Sequence, residues 1–193
     1  MTFGTTLGLF KKIPRRLRQV AEALFSPAIA SSDRLLSKMT ERYSTPTELD
    51  FYEQYVSQGL EGEELHAAFE AFKILQGSPT ALVVGCGAGR EAFALEKMGY
   101  KVLAVDTSQS MILRAQSIAQ RIKSRVTFKH SDVSSLSNVN FDFLFVSPGI
   151  INHIPIPVKR IEFLKKLHQL GNQKSVLFCL PNIRELTPRD RLY

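Results

Sequence analysis

Three glycines, Gly85, Gly87 and Gly89, stand at alternate positions between an apolar run at residues 81–84 and a stretch of helical periodicity that reaches Met98. An aspartate, Asp106, closes the next apolar run, 21 residues after Gly85. Glycine between a strand and a helix permits a tight turn and lets the backbone approach a ligand with no side chain in between. A carboxylate ending the following strand can accept hydrogen bonds from both hydroxyls of a ribose. Together these predict an adenosine-type cofactor across the carboxyl ends of the first two strands. The plainer alternative is a strand-to-helix turn followed by a solvent-facing acid. Two other nucleotide sites are disfavoured. The dinucleotide fingerprint needs a glycine three positions after its second one, where this chain has Arg90, and no Gly-Lys-Ser/Thr follows to make a phosphate loop.

Other reactive groups are sparse. Cys86 lies inside the glycine loop, but no histidine is near it in sequence to activate it, and a small side chain tucked under a ligand is the alternative reading. His153 follows a Ser147-Pro148-Gly149 turn and can remove a proton at neutral pH; its Ile and Pro neighbours equally suit a structural histidine. No His/Cys/Asp/Glu grouping has the spacing of a metal site.

Alternating short strands and helices must position these residues. Strands are predicted at 81–84, 101–105, 125–129, 141–146 and 175–180, and helices from the glycine loop to 98, at 109–122 and at 157–170. On the 109–122 helix, Met111, Ile112, Ala115, Ile118, Ala119 and Ile122 make a stripe for burial. Right-handed crossovers then require a mainly parallel sheet, and short apolar strands fit one covered on both faces. Two helices precede it, at 47–57 and 63–75; on the second, Leu65, Ala68, Phe69, Phe72 and Leu75 form the expected buried stripe.

The chain has 193 residues and a net charge of +7, of which the first 42 residues carry +5 with eight Lys or Arg against three acids. The basic character therefore belongs to an arm and not to the body. Within it, Leu17, Val20, Ala21, Leu24 and Phe25 share one face of a basic amphipathic helix, a pattern that suits packing on its own domain, contact with an anionic membrane surface, or organelle targeting. The longest apolar stretches are too short to span a bilayer. Two cysteines in 193 residues make no disulfide framework, so a reducing, cytoplasmic setting is expected.

The segment VVGCGAGR at 83–90, Asp106-Thr107-Ser108 with Met111, Ser131-Asp132-Val133 after the third strand, and Phe141-Asp142 at the fourth resemble the class I S-adenosylmethionine-dependent methyltransferases, over roughly residues 80–180. The resemblance implies an α/β, Rossmann-like, doubly wound sheet of about five strands with helices on both faces, preceded by an N-terminal helical segment. The domains implied are a basic arm at 1–45 and a methyltransferase-like domain at 46–193, its leading helices at 46–78 and its α/β core at 79–193. The implied cofactor is S-adenosyl-L-methionine. Gly85, Cys86, Gly87 and Gly89 would run beneath its methionine part and ribose, and Asp106 would hold the ribose hydroxyls. Thr107 and Met111 would border the adenine, although Met111 also reads as core. Asp132 would accept from the adenine amino group and Val133 would read the ring through its backbone; Asp132 as a turn cap is the alternative. Ser147 and His153 would lie on the loop facing the methyl group, with Tyr43, Phe51, Tyr52 and Tyr55 as candidate lid aromatics.

The loop after the fourth strand, Ser-Pro-Gly-Ile, lacks the Asn/Asp-Pro-Pro-aromatic pattern of enzymes acting on exocyclic base amines, and no Pro-Cys nucleophile is present. Nucleic acid is therefore disfavoured as substrate and a small-molecule acceptor is expected. Family members have two further strands, for which residues 181–193 are too few; this suggests a shortened member, a truncated sequence, or a homo-oligomer that covers an open fifth strand. The main expectation is methyl transfer. The alternatives are a catalytically inactive, cofactor-binding partner subunit and, against Arg90, a nicotinamide-dependent oxidoreductase.

Overall fold

Five short strands form one sheet in the order β3-β2-β1-β4-β5, with every neighbouring pair parallel. They are β1 (Thr80–Val84), β2 (Lys101–Asp106), β3 (Thr127–His130), β4 (Phe143–Val146) and β5 (Val176–Cys179). The computed structural model describes residues 41–75, 77–154, 157–171 and 175–179, all within one unit, Lys38–Tyr193. The amphipathic segment at 15–25, most of the basic arm and the tail at 181–193 lie outside the described residues. Two helices lead in, α1 (Pro46–Tyr55) and α2 (Gly62–Leu75), and three follow the strands, α3 (Arg90–Lys97), α4 (Gln109–Ile122) and α5 (Pro157–Leu170).

β1 is the axis of the arrangement. It pairs with β2 from Thr80↔Lys101 to Val84↔Val105, and on its other side with β4 from Ala81↔Phe143 to Val84↔Val146. The chain builds outward from β1 through β2 to β3, then returns to place β4 on the opposite side. The loops after β1 and β4 thus diverge, and they open a crevice at the carboxyl ends of the two central strands.

Alternate residues of each strand serve two separate cores. Ala81, Val83, Ala104, Phe143 and Phe145 meet Ala68 and Ala71 of α2, Phe93 and Leu95 of α3, and Ile112 and Ala115 of α4. Leu82, Val84, Val105, Leu144 and Val146 meet Leu167 of α5 together with Val133, Leu136 and Phe141. This explains why the strands read as unbroken apolar runs. Between β3 and β4 the chain has a 3-10 turn, Val133–Ser135, where a full crossover helix is absent.

The expected boundaries shift slightly. β3 begins at Thr127, and β4 begins at Phe143, after Asp142 turns its carboxylate back to the Thr80 backbone N–H and hydroxyl, both at 2.8 Å. The stripe expected on α2 is rotated: Leu65 and Phe69 are 48% and 51% exposed, while Glu64, Ala68 and Ala71 turn inward. Ile122, expected in the α4 stripe, is likewise exposed. The α2 rotation has a polar cause. Arg90 donates to both Glu64 carboxylate oxygens at 2.7 Å, to Glu91 at 2.8 Å and to the Gly59 carbonyl at 2.7 Å. Tyr100 adds a 2.7 Å bond to the Ala68 carbonyl from the sheet side. A polar face wins here because its partners are supplied by a distant part of the chain.

β3 and β5 are the outer strands, and among the described residues β5 pairs with β4 alone, leaving Leu177 half-exposed. Arg90→Ala should lower unfolding stability by roughly 2–4 kcal/mol, since it strands Glu64 and Glu91, two largely buried carboxylates. Urea denaturation would measure this, and a loss within about 0.5 kcal/mol would mean that the clasp is dispensable.

Candidate functional site at the carboxyl ends of β1, β2 and β4

β2 holds the glycine loop in place. The Val105 carbonyl accepts from the Gly85 and Cys86 N–H groups at 2.9 and 3.1 Å, and Gly89 N–H closes the turn onto the Cys86 carbonyl at 2.8 Å. All three glycines have positive φ, at 75°, 50° and 100°, a region costly for other residues. Each glycine also answers a separate spatial demand. A Cβ on Gly85 would collide with the Ile150 side chain from the loop after β4, and one on Gly89 would lie 2.7 Å from Phe93 and 2.9 Å from Phe128. At Gly87 the nearest atom is Tyr52 Cδ1 at 3.7 Å, an ordinary contact distance, so of the three only the central position has space for a methyl group. Gly89 opens helix α3, and its missing side chain serves packing between that helix and the sheet.

Asp106 ties the loop to the end of β2. Its Oδ2 accepts from Gly87 N–H at 2.8 Å and its Oδ1 from Ser108 N–H at 2.8 Å. Burial pushes this carboxyl above its ordinary pKa, and the backbone donors of Ser108 and Gly87 oppose the shift. A carboxylate offers about four acceptor sites, and the Ser108, Gly87 and Thr107 N–H groups leave about one for a hydroxyl. Thr107 beside it is exposed, and Ser108 caps α4 through Met111 N–H. Met111 is 1% exposed and packs as a core residue. Asp132 caps the turn after β3, its Oδ1 accepting from Ser134 N–H at 2.6 Å, and Val133 is buried in the second core. Burial pushes the Cys86 thiol well above its ordinary pKa, which removes the thiolate a nucleophile needs.

Across the crevice, Ser147 extends β4, its N–H donating to the Val84 carbonyl at 3.0 Å. It is 5% exposed and its hydroxyl has no partner in the structure. A buried hydroxyl left unpaired costs on the order of 1–3 kcal/mol, so the atom is suited to accept or donate to a ligand. His153 closes the short 3-10 turn that follows, and its Nε2 lies 3.3 Å from the Tyr43 hydroxyl, 110 residues earlier in the chain. Tyr43 is in turn bonded to Tyr52, with their rings 5.8 Å apart and edge-on. Burial holds the His153 pKa below its ordinary value, with the Arg42 charge adding to the effect, so the ring is neutral near pH 7. Burial likewise raises Tyr43, which stays a neutral phenol.

The crevice therefore brings Gly85, Gly87 and Asp106 together on one side, and Ser147, Ile150 and His153 on the other, with Tyr43 and Tyr52 above. Asp132 and Val133 stand after β3, beyond β2. The partnership of Tyr43 with His153 and the seat of Ile150 on Gly85 were not legible in the sequence, where both pairs are distant and neither has a spacing rule. Among the described residues no group of His, Cys, Asp or Glu could hold a metal ion, and no helix is long and apolar enough to cross a membrane.

Residues 81–173 match the family model of the methyltransferase domain. No curated protein matches the sequence. Solved structures share the fold. An S-adenosylmethionine-dependent methyltransferase from Clostridium acetobutylicum aligns with a TM-score of 0.55 and 17% identity, covering 67% of this chain and 54% of its own. The magnesium protoporphyrin IX methyltransferase from Synechocystis, solved with bound S-adenosylmethionine, aligns with a TM-score of 0.56 and 16% identity, covering 76% and 74%. The PH0226 protein from Pyrococcus horikoshii gives 0.51 and 24%, covering 68% and 65%. This chain thus spans about half the length of the Clostridium protein.

The glycines make separable demands. Gly89→Ala should destabilise the fold by roughly 2–4 kcal/mol, combining left-handed strain with overpacking, whereas Gly87→Ala should cost only about 1 kcal/mol. Chemical denaturation of both variants would check the contrast, and equal losses would contradict it.

Proposed function

We propose, from the match of residues 81–173 to the methyltransferase domain model, that this chain binds S-adenosylmethionine in the β1/β4 crevice and methylates a small-molecule acceptor. The observation that carries the reading is the clasp between Gly87 N–H and Asp106, which sets partly exposed glycine backbone beside a carboxylate that keeps an acceptor site. The unpartnered Ser147 hydroxyl supplies a further contact on the β4 side. When bound, the cofactor supplies a methyl group already activated by a sulfonium centre, so the protein needs to position, dry and deprotonate.

Asp106 would accept from the ribose hydroxyls, and the Gly85–Gly87 backbone would hold the nucleoside and methionine part. Ile150, packed on Gly85, presents an apolar wall that excludes water from the transfer site. His153 is the base. With Nε2–H donating to the Tyr43 oxygen, Nδ1 carries the lone pair and takes the proton that the acceptor loses as it is methylated. Tyr43 then steadies the resulting imidazolium through the same bond, and its link to Tyr52 fixes its own orientation. An acceptor that must shed a proton, such as a hydroxyl or an amine, suits this arrangement.

Asp106→Ala should weaken binding of S-adenosylhomocysteine by roughly 1–3 kcal/mol, the size of lost charge-assisted hydrogen bonds. Titration calorimetry would test this, and unchanged affinity would remove the cofactor assignment. His153→Gln should leave that affinity intact yet slow methyl transfer by at least about a hundredfold, the usual contribution of a positioned base. For the wild type, the rate should climb as pH rises through a histidine pKa below the ordinary value and stay flat above it. Transfer of label from S-adenosylmethionine into a metabolite mixture reads both effects; a variant as fast as the wild type would exclude His153 as base.

A further inference from the structure

We infer that the groove at the amino ends of β1, β2 and β3 is a second small-molecule site, suited to a ligand with an apolar body and one carboxylate. The groove encloses about 440 Å³, a size that accepts a small organic molecule. It shares no residue with the crevice. β1 runs from the groove at Thr80 to the glycine loop after Val84, which puts roughly 13 Å of strand between the two sites. Two features of the chain leave this space unfilled. β3 pairs with β2 only from Leu103↔Thr127 onward, so among the described residues Lys101 and Val102 have β1 on one side and no strand on the other. The crossover from β3 to β4 carries the short 133–135 turn in place of a full helix, and Leu103 and Val139 remain only partly buried at the margin of the second core.

The lining divides by chemistry. Leu103, Val139 and Phe141 supply apolar surface, while Lys101, Arg125 and Asn140 bring exposed polar groups to the same groove. Glu96 is the one acid of the lining, and it is already engaged. One of its carboxylate oxygens accepts from the Arg125 backbone N–H at 2.6 Å and the other from the Ser124 hydroxyl at 2.5 Å. The Arg125 side chain, 93% exposed, approaches the same acid only to 3.7 Å, a surface pair that contributes little and yields to a better partner. Lys101 makes no ion pair among the described residues. Helix α3 ends at the groove with its last turn closed. Gly99 N–H donates to the Glu96 carbonyl at 2.9 Å and Tyr100 N–H to the Leu95 carbonyl at 3.1 Å, which takes up two carbonyls that would otherwise oppose an anion. Two cations against one occupied carboxylate favour an anionic head, and the apolar surface beside them favours a hydrocarbon or aryl body.

Titration of the isotope-labelled full chain with 4-phenylbutyrate, followed by methyl NMR, tests the site without any cofactor. Saturable shifts are expected at Leu103 and Val139, with a dissociation constant of about 0.1–5 mM for a probe of about twelve heavy atoms. The neutral amide of the same probe should bind about three- to tenfold more weakly, the range expected for two exposed charge contacts. The Lys101→Gln/Arg125→Gln double variant should weaken the acid by the same factor and leave the amide unaffected. Both positions are exposed, so the thermal midpoint should not move, and the comparison of acid with amide needs no variant. Saturating S-adenosylhomocysteine should leave the affinity for 4-phenylbutyrate unchanged. Lack of any saturable shift at Leu103 and Val139 up to about 20 mM probe would overturn the site. Equal affinity for acid and amide would overturn the anionic ligand. Displacement by S-adenosylhomocysteine, or shifts at Ile150 in place of Leu103 and Val139, would put the probe in the crevice and overturn the groove as a separate site.

Discussion

The end of β2 governs the loop that follows β1. The Val105 carbonyl receives two amide protons from that loop, and the Asp106 carboxylate receives a third from Gly87. These bonds impose a turn with three positive-φ residues, and they leave a strip of backbone facing the crevice. The crevice exists because the strand order reverses at β1, so the chains leaving β1 and β4 part company.

Two ionic clusters around this site behave differently because their surroundings differ. Arg90 lies largely buried against Glu64 and Glu91, where loss of one partner leaves the others without water or charge to compensate. It fixes α2 against α3 and so sets the start of the helix after the glycine loop. Glu53 with Arg114 and Arg121 lies at the surface, where the same chemistry contributes far less and yields to salt. One cluster holds two helices together inside the scaffold and the other joins two helices at its surface. The contrast separates two helices that look equally helical in sequence.

The choice of glycine at three nearby positions illustrates how one motif mixes roles. Gly85 makes way for Ile150, Gly89 makes way for Phe93 and Phe128, and at Gly87 alone would a side-chain carbon meet its neighbour, Tyr52, at ordinary contact distance. A motif read from spacing assigns all three to the ligand. The side chains that occupy two of the vacancies come from β3, α3 and the loop after β4, so their presence could not be inferred from the loop itself. Met111 and Val133 are both buried, which the helical stripe predicts for Met111 and which leaves the Val133 backbone contact to the cofactor a matter for experiment.

By itself the sequence determined the alternation of strands and helices, because apolar runs and helical stripes report local burial that any covered parallel sheet requires. It also determined the glycine loop and its distant aspartate, whose spacing is set by the length of one helix and one strand. Only the tertiary structure decided which face of α2 turns inward, that Tyr43 meets His153, and that Ser147 is buried with an unpaired hydroxyl. Each of these depends on a partner far along the chain, and polar pairing over such separations leaves no periodic trace in a single sequence.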